Sequence, residues 1–336
     1  IGEQAGYGGT TSAPYSSGQY NVAVGTYAFD AFTTAGESTV IGYHAGSVVT
    51  TGIRNVLVGA YSGDALTTGA RNVAIGSNTL GAATTADINI AIGQSAMEGA
   101  AASVAFTNII AIGKDTLTAV TSTGADGTVA IGYQALTALT TGAQNIAIGY
   151  EALDALTEGY NNTVIGYQAG TSISSTTSQN NTFVGRTAGT GGSGILSYCT
   201  AIGSGALDGT GIRNNQMSTA VGMNALGGSQ GGTVGFNTAI GGNTMVGNMG
   251  AGDQGNYNTT VGYTGLYSLT TGNNNVAVGS GAGYDLTTGG SNVFVGYQAG
   301  DNASTTSNNV AIGYQSLGAE TGSLLTGGST VAVGYQ

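Results

Sequence analysis

Apolar and polar positions alternate in short bursts along this chain, and the burst repeats. An aliphatic residue followed by Gly marks each copy, with that Gly at 25, 42, 59, 76, 93, 113, 132, 149, 166, 185, 203, 222, 241, 262, 279, 296, 313 and 334. Ile1-Gly2 reads as one more copy. Nine of the spacings are 17 residues and the rest are 18 to 21, so a base unit of 17 with insertions accounts for the chain. The residue before the Gly is Val or Ile in all 18 copies, and the residue three before it is Val, Ile or Thr. Between them stands Ala in 12 copies, and four before the Gly stands Asn in 12. The unit runs on as G-Y-x-A-L or G-Y-x-A-G and often closes with L-T-T-G, as at Leu66 to Gly69.

N-V-A-I-G is β-branched and alternating, which predicts a short strand. Residues two apart share a face. We expect the Val/Ile pair to form the coil core, with Val24, Ile75, Ile92, Ile131, Ile148, Val278 and Ile312 as its members. The Asn/Ala pair then faces the other way. A small residue three after the Gly, followed by Leu, Phe, Met or Gly, predicts a second segment packed closely on the strand. T-T-G supplies the turn. Seventeen residues are too few for a domain but suit one coil of a solenoid that stacks on its neighbours. The expected fold is all-β, a parallel β-solenoid forming one continuous array of about 19 coils over residues 1–336, roughly 90 Å long at ~4.8 Å per coil.

The Ala face raises the question of partners. In a lone solenoid a face opposite the core meets water and collects charge, yet this position is never charged in 18 copies and accepts Phe183, Phe294 and Leu57. One reading makes it a face shared between chains, at Ala23, Ala74, Ala91, Ala130, Ala147, Ala277 and Ala311. The other makes Ala the filling of a tight coil interior in a single chain. Asn21, Asn55, Asn72, Asn145, Asn275, Asn292 and Asn309 stand in one column and predict a side-chain amide ladder.

Composition narrows the function. With 63 Gly, one Pro and 6% charged residues in 336, the surface is unlike that of an ordinary globular chain. A 40% hydrophobic content is too high for a disordered linker. The net charge of −11 includes no basic patch, which argues against nucleic acid as a partner. No apolar run is long enough to span a membrane.

At N-x-A-I-G, as in Asn145 to Gly149, the chain resembles the head repeats of trimeric autotransporter adhesins. The longer form, N-V-A-I-G-Y-Q-A-L…L-T-T-G, is more similar to repeats of bacteriophage tail fibres. The resemblance covers nearly the whole chain. It implies a left-handed β-roll wound by three copies, a homotrimeric fibre at the virion surface or outside the cell. It implies a tail-fibre shaft that projects or presents host-receptor binding, with a host-surface glycan or protein as partner. The alternative it implies is the head of a bacterial cell-surface adhesin or extracellular filament. Both ends stop within repeats, so we expect a fragment of a longer fibre.

Catalytic chemistry finds little purchase, and we expect no enzyme, cofactor or metal. His44 is the only histidine and lacks partners for a triad or metal site. Cys199 takes the Asn position, as a small buried side chain. Gly189, Gly191 and Gly194 match G-x-G-x-x-G but lie in an insertion without a following helix pattern. Asp64, Asp154, Asp208 and Asp285 lie on comparable loops, which makes solvated charge the default and a cation-binding ring the rival reading. Tyr follows the anchor Gly in 8 copies; covering the groove between strands or subunits with the hydroxyl in water is the default reading, and a stacked ladder that binds sugar rings is the rival. Insertions at 99–108, 171–180, 186–198, 208–218, 227–237 and 246–257 would carry any recognition surface on the loops.

Overall fold

The computed structural model describes residues 1–8, 17–100, 105–121, 123–173, 178–191, 194–209, 213–228, 232–247, 255–318 and 328–335. The insertions at 99–108, 171–180, 186–198, 208–218, 227–237 and 246–257 fall partly outside these residues. The fold is an all-β parallel solenoid with coils roughly 17 residues apart. Contacts divide the chain into two compact units, Ile1–Asn162 and Thr163–Gln336. In the first, three-residue strands from Val22–Val24 to Ile146–Ile148 pair in parallel, as Val22↔Thr39 and Val129↔Ile146. In the second the same ladder runs from Thr163–Ile165 to Val331–Val333, as Thr163↔Thr182 and Val310↔Val331.

The anchor Gly explains why the period survives. At Gly132 φ is 135°, and a Cβ there would overlap the carbonyl oxygen of Gly149 in the next coil. Only Gly meets both demands. Its N–H continues the ladder, as Gly59 donates to Ile41 O at 2.8 Å. The chain then turns through left-handed residues two and four after the Gly, Gln134 (φ 53°) and Leu136 (φ 51°) in one coil. That turn brings the second segment back against the strand. The closing loops ladder as well: Thr50 Oγ1 donates to Thr67 O at 3.1 Å, and Thr67 Oγ1 to Thr84 O at 3.0 Å.

The two strand faces are the reverse of the expectation. Ala74, Ala91, Ala130, Ala147, Ala277 and Ala311 are fully buried inside their own coils, and Ala23 is half-buried. They do not form a face between chains. Across from them sit the residues three and four after the Gly, Ala135 and Leu136 for example, also fully buried. The supposed coil core points outward: Val24, Ile75, Val278 and Ile312 are 36–40% exposed, and Ile92, Ile131 and Ile148 are half-buried. Coil width is the physical reason. The returning segment lies so close to the strand that Leu on one wall leaves room only for a small residue on the other, Ala in most coils and Thr260 opposite Leu266. Where the strand residue is large, the opposing residue is Gly. A Cβ at Gly63 would come 3.0 Å from Leu57 Cδ2, and one at Gly300 would come 2.5 Å from Phe294 Cδ1.

The middle insertions hold more order than loops require. Leu196–Ser197, Arg213–Gln216 and Gly232–Gly235 form a second parallel sheet of three strands within the second unit. Its register is continuous, with Leu196 opposite Asn215 and Asn215 opposite Val234.

Candidate functional site

Three features can be built from the residues upward: an internal amide ladder, an outward apolar face, and a tyrosine-lined side. The ladder is structural. Asn55, Asn72, Asn145, Asn275, Asn292 and Asn309 are buried, and Asn21 is half-buried. Asn72 Nδ2 donates to Asn55 Oδ1 at 3.2 Å, Asn292 to Asn275 at 2.9 Å, and Asn309 to Asn292 at 3.0 Å. Each Oδ1 also accepts a backbone N–H from the next coil, as Asn72 N to Asn55 Oδ1 at 3.0 Å and Thr330 N to Asn309 Oδ1 at 3.0 Å. The Nδ2 of Asn55, Asn72, Asn145, Asn275 and Asn292 also reaches a loop carbonyl, as Asn72 to Ala86 O at 2.7 Å. One amide therefore ties strand, neighbour and loop together.

Cys199 continues this column. It is buried, its Sγ lies 3.4 Å from both Ser197 O and Asn215 O, and burial pushes its thiol up to about 11. At neutral pH it stays a thiol and is a poor nucleophile.

The outward strand face carries two side chains per coil, and in all 18 coils they are Val, Ile or Thr. In the first unit both columns are largely aliphatic, as Val73 with Ile75 and Ile90 with Ile92. In the second, Thr182, Thr200, Thr219, Thr238 and Thr259 stack in register beside Val184, Ile202, Val221, Ile240 and Val261. The result is a charge-free stripe of partly exposed residues, from half-buried Ile131 to Val261 at 40% and Ile202 at 41%.

The tyrosine column exists as stacked rings. Tyr133 and Tyr150 have centroids 5.1 Å apart, Tyr297 and Tyr314 5.2 Å, and Tyr314 and Tyr335 5.1 Å. His44 belongs to a neighbouring stack, 4.7 Å from Tyr27 and 5.6 Å from Tyr61. Its surroundings are aromatic, not those of a triad. Gly189, from the glycine motif, gives way to the Phe183 ring, and the motif's remaining positions lie partly outside the described residues.

The loop acids do not converge. Among the described residues no group of three or more His, Cys, Asp or Glu is placed to hold a metal. Burial pushes the carboxyls of Asp64 and Asp154 above the usual range, with Glu98 adding at Asp64 and Glu151 at Asp154. Asp64 and Glu98 face a hollow of about 410 Å³ where Gly81 stands between them. A second hollow, of about 290 Å³, lies between Tyr263 and Tyr297. The sequence reading did not single it out. Its signal was an exception in the repeat: Ser280-Gly281 stands where the flanking coils carry Tyr263-Thr264 and Tyr297-Gln298.

No protein-family model, curated protein or solved structure matches this chain. No helix among the described residues is long and apolar enough to cross a membrane.

Proposed function

We propose that the chain is a shaft segment of a phage tail fibre, a non-catalytic homotrimer that projects or presents host-receptor binding. In this reading the three copies meet along the outward Val/Ile/Thr face, not along the alanines, and wind as a left-handed β-roll. The virion surface is its place, and a host glycan or protein its further partner. One observation carries the proposal: two uncharged β-branched side chains per coil stay partly exposed along the whole repeat. A solvated sheet face alternates in charged and polar residues, and long uncovered apolar edges invite association. The stripe offers on the order of 100 Å² per coil, so the first unit's coils approach the ~800 Å² per partner of a stable interface. Resemblance of N-x-A-I-G-Y-x-A-L to tail-fibre repeats supplies the biology. Light scattering on the isolated chain tests it. Three copies of 32.7 kDa give about 98 kDa, and a mass near 33 kDa at micromolar concentration overturns the fibre reading.

A further inference from the structure

We infer that one pyranose ring, neutral or amino-substituted, binds in a slot where the tyrosine stack of the second unit loses a rung. The inference deepens the reading of a fibre that presents a surface to a host, and takes its biological use from it. Its chemistry stands on the slot. Where consecutive coils carry Tyr directly after the anchor Gly, the rings lie on one another: Tyr297 and Tyr314 are 5.2 Å apart at 16°, Tyr314 and Tyr335 5.1 Å at 13°. Tyr263 and Tyr297 hold the same place two coils apart, and the coil between them carries Ser280. Two coil rises of ~4.8 Å set these rings ~10 Å apart. That separation fits one inserted ring at ~5 Å from each face. Gly281 adds no side chain to fill the gap. The hollow of about 290 Å³ has Tyr263 and Tyr297 in its walls. It is at the small end of ligand sites, which start at roughly 300 Å³.

The rim selects the kind of ring. Asp285 and Asp301 line the slot with Tyr284, and both carboxylates accept hydrogen bonds. Gln298 Oε1 already accepts from Gln315 Nε2 at 3.0 Å, so the amide NH2 is what Gln298 has to offer a ligand. A sugar presents hydroxyls around its edge to such groups and a C–H face to each tyrosine. An amino group would gain from the two carboxylates, and an acidic sugar would be repelled by them. A flat apolar aromatic would stack equally well but would leave the polar rim desolvated without partners.

Saturation-transfer difference NMR on the full chain tests this, with methyl glucoside, methyl galactoside, methyl mannoside, glucosamine, N-acetylneuraminate and indole as probes. At least one neutral or amino pyranoside should show transfer, with millimolar affinity. Ser280→Tyr should weaken it at least tenfold. That variant rebuilds the missing rung with the residue its neighbours carry, so the coil should keep its fold and its thermal midpoint. Tyr133→Ala, in the first unit, should leave binding unchanged. The inference is overturned by no transfer to any of the pyranosides, by transfer that survives Ser280→Tyr, by loss of transfer in Tyr133→Ala, or by stronger transfer to N-acetylneuraminate or indole. Mass decides the fibre reading and saturation transfer decides the slot, so failure of one is told apart from failure of the other.

Discussion

Phe183 and Gly189 offer a direct test of how one coil balances volume across its interior. Phe183 is fully buried, and a Cβ on Gly189 would overlap its ring. Phe183→Ala should cost about 3–5 kcal/mol through the cavity it leaves. Gly189→Leu alone should also destabilise, by clash. The double variant rebuilds the Ala/Leu pairing of Ala130 with Leu136, whose Leu tolerates the same left-handed backbone at φ 51°. It should recover most of the loss, and a denaturation cycle with additive costs would reject the balance. This pairing was legible in the sequence. Val40 goes with Gly46, Leu57 with Gly63, Val164 with Gly170 and Phe294 with Gly300, while Ala74 goes with Leu80 and Ala147 with Leu153. The face assignment missed it because hydrophobicity alone points the larger Val/Ile inward. Coil width, which decides the matter, is visible only in which sizes trade off. Asp154 makes a second residue-scale case. Its Oδ1 is buried without a partner, and burial and then Glu151 raise its carboxyl above the ordinary 3.8. A raised carboxyl favours the protonated folded state, so its contribution worsens as pH climbs from 3.8 through the folded value. Asp154→Asn should raise the thermal midpoint at pH 7, and the gain should vanish below about pH 3.8.

Strands of three residues cannot hold a sheet by themselves, so the element scale depends on what ties coil to coil. Asn72 is one such tie. Its side chain serves Asn55, Ala86 and Asn89, with Asn89 N and Nδ2 donating to its Oδ1 at 3.1 and 3.2 Å. Asn72→Ala should cost about 1–3 kcal/mol, since it leaves buried donors and acceptors without partners. Asn21 makes two such bonds, to Ala35 O and from Ser38 N, but is only half-buried. Water can replace it, and Asn21→Ala should cost less in a urea midpoint measurement. An equal cost at the two sites would remove the argument from burial. The ladder was foreseeable because an uncharged amide recurs at one register. The second sheet of the middle insertions was not, because Leu196–Ser197, Arg213–Gln216 and Gly232–Gly235 share neither residue type nor alternation. Backbone pairing fixes their register, and backbone leaves no trace in side-chain pattern.

For the whole molecule the decisive question is which strand face meets another copy, and adjacent residues answer it. Ala130 is fully buried within its coil, and its neighbour Ile131 is only half-buried on the outward face. A carboxylate at 130 would stand unpaired in a dry interior too narrow to admit water. Ala130→Asp should cost several kcal/mol in the chain itself, and should weaken its β-rich circular dichroism whatever the assembly state. A carboxylate at 131 can reach water in a lone chain, so the coil should survive with its spectrum intact. In a trimer joined along the outward face, the same substitution sets three like charges around the shared axis. Ile131→Asp should then lower the scattering mass from about 98 kDa toward the 32.7 kDa of one chain while leaving the fold in place. Gln134→Asp, in the turn after the strand, should do neither. The opposite pattern, in which Ile131→Asp keeps its mass and Ala130→Asp dissociates as a folded chain, would return the interface to the alanine face. The order of effects therefore separates a residue that builds the coil from one that joins coils of different chains, one peptide bond apart.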